Sequence, residues 1–382
     1  VHILYLTDVY FPRINGVSTS IQTFRESLQA LGHRVTLICP DYGTPPKHPD
    51  DPDVVRIAAR RVINDPEDRF LRWSALQAWA AKQDPAQFDL LHAETPFVAH
   101  YFAARIARRW NKPLIESYHT FFEEYLHHYV PLAPAALTRL LARHFSRSQG
   151  RAVDALIVPS SAMQQRLRTY GIDTPLHVLP TGLPPAAFVQ SDGASFRKAY
   201  NIPAEQPVLL HVGRVAHEKN IAFLLEALAL VKAKHPEILL LITGEGPAEA
   251  SLRHQAQQLG LTAHVRFIGY LDRQHELPAC YAAADLFVFA SKTETQGLVL
   301  LEAMAQGTAV VALAEMGTQD LLCEGHGAYI APDELSGFAA RIDQALSDPQ
   351  QRAEIAARGR PHALQWSDQA LAEKLVAIYQ AQ

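Results

Sequence analysis

Short apolar runs alternate along this chain with longer stretches whose apolar positions recur every three or four residues. Val1–Leu6, Arg34–Cys39, Leu90–Ala93, Leu114–Ser117 and Ala155–Val158 are too short for helices and read as strands. Ser18–Leu31, Pro96–Trp110 and Ser161–Tyr170 read as helices, the first closed by Gly32 as a C-cap. A Pro- and Asp-rich segment from Pro40 to Asp53 is expected to be irregular. The alternation then begins again. Val208–Val212, Leu239–Thr243, Val265–Ile268, Leu286–Ala290 and Ala309–Ala312 read as strands, and Ile221–His235, Ala248–Leu259 and Leu298–Gln306 as helices. Such alternation predicts an α/β fold of doubly wound parallel sheets covered on both faces.

The stretch Leu179–Phe188 carries Pro180, Gly182, Pro184 and Pro185, a hinge composition. The expected division is therefore 1–182 and 183–365, two Rossmann-like domains. A C-terminal segment, 366–382, holds a helix at Asp368–Gln380 for which docking back on the first domain is one option. Ligands of open parallel sheets bind beyond the carboxyl ends of the strands, so the chemistry is sought in strand-end loops.

Composition narrows the classes. Of 382 residues, 48% are hydrophobic and 19% charged, enough for two full cores and against disorder. The net charge of −4 gives no signal for nucleic acid, but it is uneven. Residues 1–180 hold 20 Lys and Arg against 17 Asp and Glu, and the remainder 15 against 22, so the first half is the one suited to an acidic surface. Cys39, Cys280 and Cys323 lack metal spacing and suit a reducing compartment. No apolar run reaches the ~18 residues of a membrane span, and the N-terminus lacks signal-peptide features. The expected location is cytoplasmic, with a peripheral place on the inner face of the cell membrane as an option, and no protein partner is expected.

Gly213-Arg214-Val215-Ala216-His217-Glu218-Lys219-Asn220 stands at a strand end just before a helix. Arg214 offers a planar fork and Lys219 a mobile charge to phosphate oxygens, and the helix N-terminus adds N–H groups. Together they suit a leaving diphosphate, in the role Mg²⁺ fills elsewhere. Ser291-Lys292-Thr293-Glu294-Thr295-Gln296-Gly297-Leu298 leads into a second helix, with Glu302 inside it. Glu302 sits among Leu301, Ala303 and Met304 and needs a hydrogen-bond partner; ribose hydroxyls would serve it, and hexose hydroxyls Glu294. The plain alternatives are a solvated basic loop and a capping acid with a helix salt bridge. Asp51-Pro52-Asp53 matches the Asp-x-Asp of metal-dependent sugar transferases, but it lies in a Pro-rich loop with no strand before it and is rejected.

Two glutamates eight apart around a Gly, preceded by Gly-Arg-x₄-Lys, resemble family 4 of the retaining glycosyltransferases with the GT-B fold. The resemblance runs from the first strand to the last helix. The phrase Ser291–Leu298, with Tyr118-His119-Thr120 upstream, resembles the branch that includes bacterial diacylglycerol α-glucosyltransferases and GDP-mannose-dependent mannosyltransferases. It implies two domains facing across a cleft, a retaining and metal-independent reaction, a UDP- or GDP-hexose donor as substrate, and a hydroxyl acceptor such as diacylglycerol. It places His119 beside the transferred sugar, Gly16 of Asn15-Gly16 near a phosphate and the Gly244–Pro247 turn near the nucleotide. The segment Phe121–Tyr129, with Glu124, Tyr125 and His128, is similar to the branch's acceptor side, and Glu94 is a further candidate there. The resulting scheme has catalytic His119, Arg214, Lys219 and Glu294. Donor-binding residues are Gly16, Gly213, Gly244, Gln296, Gly297, Leu298 and Glu302, and the domains close about Thr181–Leu183.

Between Leu126 and Val153 there is no Asp or Glu, while Arg139, Arg143, Arg147 and Arg151 recur every four residues. On a helix they form one stripe, with Leu137, Leu141 and Phe145 on the other side and Leu140 between. This reads as a membrane-surface helix drawn to anionic lipid, or as a domain helix whose arginines pair with acids elsewhere. Three alternatives to lipid transfer stand beside it: the same chemistry on a soluble or polysaccharide acceptor, a nucleotide-sugar epimerase of the same architecture, and a non-catalytic sensor.

Overall fold

The computed structural model describes residues 1–13, 15–43, 52–61, 69–119 and 135–382, with the backbone alone for 135–139. The chain forms two compact units, Val1–Gly182 with Leu371–Gln382, and Leu183–Ala370.

The first unit is built on β1 (His2–Leu6), β2 (Arg34–Asp41), β3 (Val54–Arg61), β4 (Arg69–Leu71), β5 (Leu90–Ala93), β6 (Leu114–Ser117), β7 (Ala155–Val158) and β8 (Leu176–Val178). Its helices are α1 (Gly16–Ala30), α2 (Trp73–Ala80), α3 (Val98–Trp110), α4 (Ala135–Gly150) and α5 (Ser161–Thr169). The sheet order is β4-β3-β2-β1-β5-β6-β7-β8, parallel throughout except for the antiparallel β3–β4 pair at one edge. The order reverses between β1 and β5. Central strands such as Ile3–Leu6 are wholly buried, as expected of a parallel sheet covered on both faces. Asp8, just past β1, is buried and accepts from the N–H groups of Leu71 and Ala99 and the hydroxyl of Thr95, tying the β1 end to the start of α3.

The second unit repeats the plan. Its sheet orders β11 (Val265–Gly269), β10 (Leu239–Thr243), β9 (Val208–Val212), β12 (Leu286–Phe289), β13 (Ala309–Leu313) and β14 (Ala328–Ala331), all parallel. The order reverses between β9 and β12. Around it lie α6 (Gly193–Ala199), α7 (Ile221–Val231), α8 (Glu249–Gln258), α9 (Glu276–Ala283), α10 (Leu298–Ala305), α11 (Leu335–Ser347) and α12 (Pro349–Ala363). Two apolar clusters, one on each sheet face, are centred on Leu224, Leu225 and Ile342 and on Phe287, Leu300 and Met304.

The final helix, α13 (Asp368–Gln380), follows the second unit in sequence, yet from Leu371 on it belongs to the first. Leu371, Ala372, Leu375 and Tyr379 are its buried side. The apolar runs become strands within a residue or two of their expected limits. Pro40 and Asp41 extend β2 instead of opening an irregular loop, because Pro40 and Asp41 register against Ile57 and Ala58 of β3. β3, β4, β8 and β14 are additional strands: β3 is only half buried and rich in Arg, and the others are three or four residues long.

Candidate active site

The loops after β9 and β12 emerge side by side where the second sheet reverses its order, the usual place for a ligand. They are the two motifs singled out by sequence. After β9, a single 3₁₀ turn at His217–Lys219 ends on Asn220 in the left-handed region, which starts α7. The Asn220 side chain donates to the Ala290 carbonyl (3.1 Å), and the Ser291 hydroxyl donates to the Glu218 carbonyl (3.2 Å), so the two loops are stitched together. Lys219 Nζ then lies 2.8 Å from Glu294 Oε2, with 22% and 18% of the two side chains exposed. Arg214 stands in solvent, 66% exposed, and pairs with Glu218 at 2.8 Å.

Glycines let these backbones approach. Gly244 has φ +117°, and a Cβ there would lie 1.9 Å from the Gly213 carbonyl oxygen. The close contact lets Gly213 N donate to Thr243 O and Val215 N to Glu245 O. Gly244 thus has a structural duty that the motif alone did not reveal. Gly297, at φ +82°, caps α10, and its N–H lies 3.4 Å from Glu294 Oε1. Leu298 opens the helix, and the backbone Gly317 N–H donates to the Glu294 carbonyl (2.9 Å). Gln296 is half-buried in the same loop.

Glu302 does find the partner that burial demands, and the protein supplies it. Tyr281 on α9 donates to Oε2 at 2.7 Å, and Arg273 lies 3.3 Å from Oε1. Neither residue carried a sequence signal. A second unforeseen group is His211 on β9. Its Nδ1 donates to the Val288 carbonyl (3.2 Å), and burial pushes its pKa down to about 4, so the ring is neutral. Nε2 is buried and takes no partner among the described residues. A Cβ at Gly213 would come within 3.7 Å of it, so this nitrogen looks toward the gap that Gly213 leaves.

In the first unit, Glu94 follows β5 and His119 follows β6, on adjacent strands. His119 Nε2 and Glu94 Oε2 are 2.8 Å apart; Glu94 is 3% exposed and His119 16%. Burial acts to raise the Glu94 pKa, but the neighbouring His92 and His119 and the Ser117 hydroxyl outweigh it and hold the carboxyl below its usual range. Glu94 is thus paired with His119 within the unit. Gly16 is the first residue of α1, capped by Asn15 and Ser18 in a reciprocal pair, and open space surrounds the position a Cβ would take. Glu124, Tyr125 and His128 lie outside the described residues, as does the Arg139 side chain.

The basic helix is arranged differently from expectation. α4 buries Ala142, Ser146, Gln149 and Gly150, while Leu140 and Leu141 are 64% and 50% exposed. Polar bonds explain the choice of face: Ser146 Oγ meets Tyr118 Oη at 2.9 Å, and Gln149 donates to the Pro96 carbonyl at 2.6 Å. Two of the arginines are laid on the domain, Arg143 over the Tyr170 ring and Arg147 beside Gly171. Arg151, with Arg108 and Lys112, lines a basic depression. Among the described residues no helix is long and apolar enough to cross a membrane.

Known proteins match both units. Residues 14–187 match the profile described as Glycosyltransferase Family 4, and residues 192–362 that described as Glycosyl transferases group 1. An alpha-monoglucosyldiacylglycerol synthase of Streptococcus pneumoniae is 33% identical over 80% of this chain and 69% of its own length. A protein of the same name from Acholeplasma laidlawii is 26% identical over 80% of this chain and 78% of its own. Among solved structures, a sucrose-phosphate synthase from Thermosynechococcus elongatus superposes with a TM-score of 0.76 at 22% identity, covering 100% of this chain and 99% of that one. With two parallel-sheet α/β units of this order and these relatives, the chain belongs to the family 4 glycosyltransferases of the GT-B fold and is a hexosyltransferase.

Proposed function

We propose that this hexosyltransferase moves its sugar from a UDP- or GDP-hexose to the hydroxyl of a membrane lipid such as diacylglycerol, retaining the anomeric configuration and needing no metal ion. The observation that carries the donor half is the Lys219–Glu294 pair at the reversal point of the second sheet, 2.8 Å apart and beside the start of α10. Without donor, each neutralises the other. A bound nucleotide-sugar offers both a better match: diphosphate oxygens for the Lys219 ammonium, and sugar hydroxyls for the Glu294 carboxylate. Arg214 exchanges its exposed partner Glu218 for phosphate at little cost, because a surface pair of this kind contributes at most about 1 kcal/mol. Glu302, already oriented by Tyr281, takes the ribose hydroxyls.

In this reading the departing diphosphate is stabilised by Lys219, Arg214 and the N–H groups opening α10. The acceptor hydroxyl attacks the anomeric carbon from the face the diphosphate leaves, and a phosphate oxygen takes its proton. His119, by the family resemblance, contacts the transferred sugar. The lipid acceptor is supported by the names of the two diacylglycerol-glucosylating relatives and by Leu140 and Leu141, exposed on a helix bearing Arg143, Arg147 and Arg151 nearby.

The test is a panel of UDP- and GDP-hexoses, each incubated with and without diacylglycerol vesicles, reading nucleotide release and product mass. Release that requires the vesicles, with a glycosyl-diacylglycerol product, is the expected result. Donor conversion without any acceptor would replace transfer by epimerisation or hydrolysis, and turnover only with soluble glycans would remove the lipid.

A further inference from the structure

The His119–Glu94 pair is the visible end of a longer buried chain. Tyr5 and His92 register as neighbours on β1 and β5, and His92 faces Ile115 on β6. At the same parity Glu94, Ser117 and His119 follow them toward the carboxyl ends of the strands. Tyr379 of α13 joins them from a helix 287 positions away from His92 in sequence. The heavy-atom distances are 2.9 Å from Tyr5 Oη to Tyr379 Oη, 2.6 Å from Tyr379 Oη to His92 Nδ1 and 2.9 Å from His92 Nε2 to Ser117 Oγ. His119 Nε2 meets Glu94 Oε2 at 2.8 Å, and His92 Nε2 lies 3.6 Å from Glu94 Oε1.

Donor and acceptor roles along this chain are not free. The Glu94 carboxylate, which can only accept when ionised, lies 3.6 Å from His92 Nε2 and favours the ring proton on that nitrogen. His92 Nε2 must then be the donor to Ser117 Oγ. A neutral ring protonated at Nε2 has its lone pair on Nδ1, so the Tyr379 hydroxyl donates there. Tyr379 oxygen in turn accepts from Tyr5. Every proton points toward Glu94, and His119 supplies the last one from its Nε2. Burial disfavours a charged His92, as this order requires, and the hydrogen bond from His119 favours a charged Glu94.

We propose that Glu94 is a positioning residue that fixes His119 as its Nε2–H tautomer, leaving Nδ1 as an acceptor for a hydroxyl of the transferred sugar, and that Tyr379 on α13 sets the direction of the hydrogen-bonded chain behind it. The sugar's part in this rests on the proposed function; the tautomer does not. A histidine that could present either nitrogen would spend part of its time offering an N–H where an acceptor is needed. The carboxylate removes that state, and His92, held by Tyr379 and Ser117, lies 3.6 Å from its other oxygen.

The experiment uses the full chain with ¹⁵N-labelled histidine, at pH 8 and without substrate. The His119 ring signals are assigned by comparison with His119→Asn. The wild type is expected to show His119 with a pyrrole-type Nε2 and a pyridine-type Nδ1, and Glu94→Gln to move it to a mixture of tautomers. In turnover assays Glu94→Gln is expected to lower kcat about tenfold or more with the donor KM within about twofold, and Glu94→Asp to recover part of the loss. Tyr379→Phe keeps the ring and deletes only the hydroxyl; it is expected to mix the His92 tautomers and lower kcat by about two- to tenfold. A His119 that is Nδ1–H in the wild type, or unchanged in Glu94→Gln, overturns the proposal. An Nε2–H His119 whose replacement by Asn leaves kcat untouched refutes instead its place at the sugar, and with it any catalytic use of the chain.

Discussion

Lys219 and Glu294 hold one another at 2.8 Å in a loop pair that is only about one-fifth exposed. Removing either one does two things: it takes away the proposed contact to donor and leaves the other charge half-buried and unmatched. Lys219→Ala and Glu294→Ala are each expected to cut kcat about a hundredfold or more, measured at saturating donor with folding checked by circular dichroism. Near wild-type rates in both would remove the site. Gly244 is a different case, since a Cβ there meets the Gly213 carbonyl at 1.9 Å from a backbone at φ +117°. Gly244→Ala is expected to cost about 3 kcal/mol of stability, read as a lower urea midpoint.

His211 gives a pH signature. Its folded pKa, about 4, lies below the ordinary 6.5. Above pH 6.5 the ring is neutral whether folded or unfolded. As pH falls from 6.5 to 4, the unfolded chain takes up a proton that the folded one refuses, so stability is lost, by about 3 kcal/mol in all. His211→Gln lacks this titration. The stability gap between it and the wild type should narrow by about that amount between pH 7 and pH 4 in urea unfolding, and parallel pH curves would contradict the assignment. The motifs named Lys219, Glu294 and Glu302 but neither partner of Glu302. Tyr281 and Arg273 lie in no motif, and the tie between Glu94 and His119 left only a faint trace, two i, i+2 polar pairs ending neighbouring strands, His92-x-Glu94 and Ser117-x-His119.

Among elements, the long apolar strands at the sheet centres were legible because burial on both faces writes itself into composition. Strands at or next to the edges were not: β3 is half exposed and carries three arginines, and β4 and β8 are three residues each. α4 shows where periodicity misleads. Its arginine spacing was plain, but the face it buries was decided by hydrogen bonds from Ser146 and Gln149 and by the close packing of Gly150 against Ile172, leaving leucines outside. Exposed leucines beside arginines suit a lipid surface. The protein is expected to sediment with anionic vesicles, less so as salt rises, and Leu140→Glu with Leu141→Glu to weaken this about tenfold. Equal sedimentation with neutral and anionic vesicles would dismiss the membrane reading.

At the scale of the whole molecule, the two units and their parallel sheets follow from the repeated strand–helix alternation, whereas the membership of α13 does not. Nothing in its sequence says which unit its apolar side serves; only the fit of Leu371, Leu375 and Tyr379 decides it. Ending the chain at Ala370 should remove those side chains from the first unit and destabilise it by roughly 5 kcal/mol, at ~1.5–3 kcal/mol for each large buried side chain. Calorimetry should show one transition shifted and the other, from Leu183–Ala370, nearly unmoved; a uniform shift of both would argue against this membership.

The place of α13 also sets an order on biosynthesis. A ribosome finishes the entire second unit before it makes the helix that completes the first, so the early-emerging half waits, with His92 lacking its tyrosine, until elongation has passed Tyr379. A prematurely terminated product would carry the Lys219–Glu294 pair but not the hydrogen-bonded support of His119. With the donor held as proposed, fragments from a message truncated late are expected to capture sugar-nucleotide without turning it over.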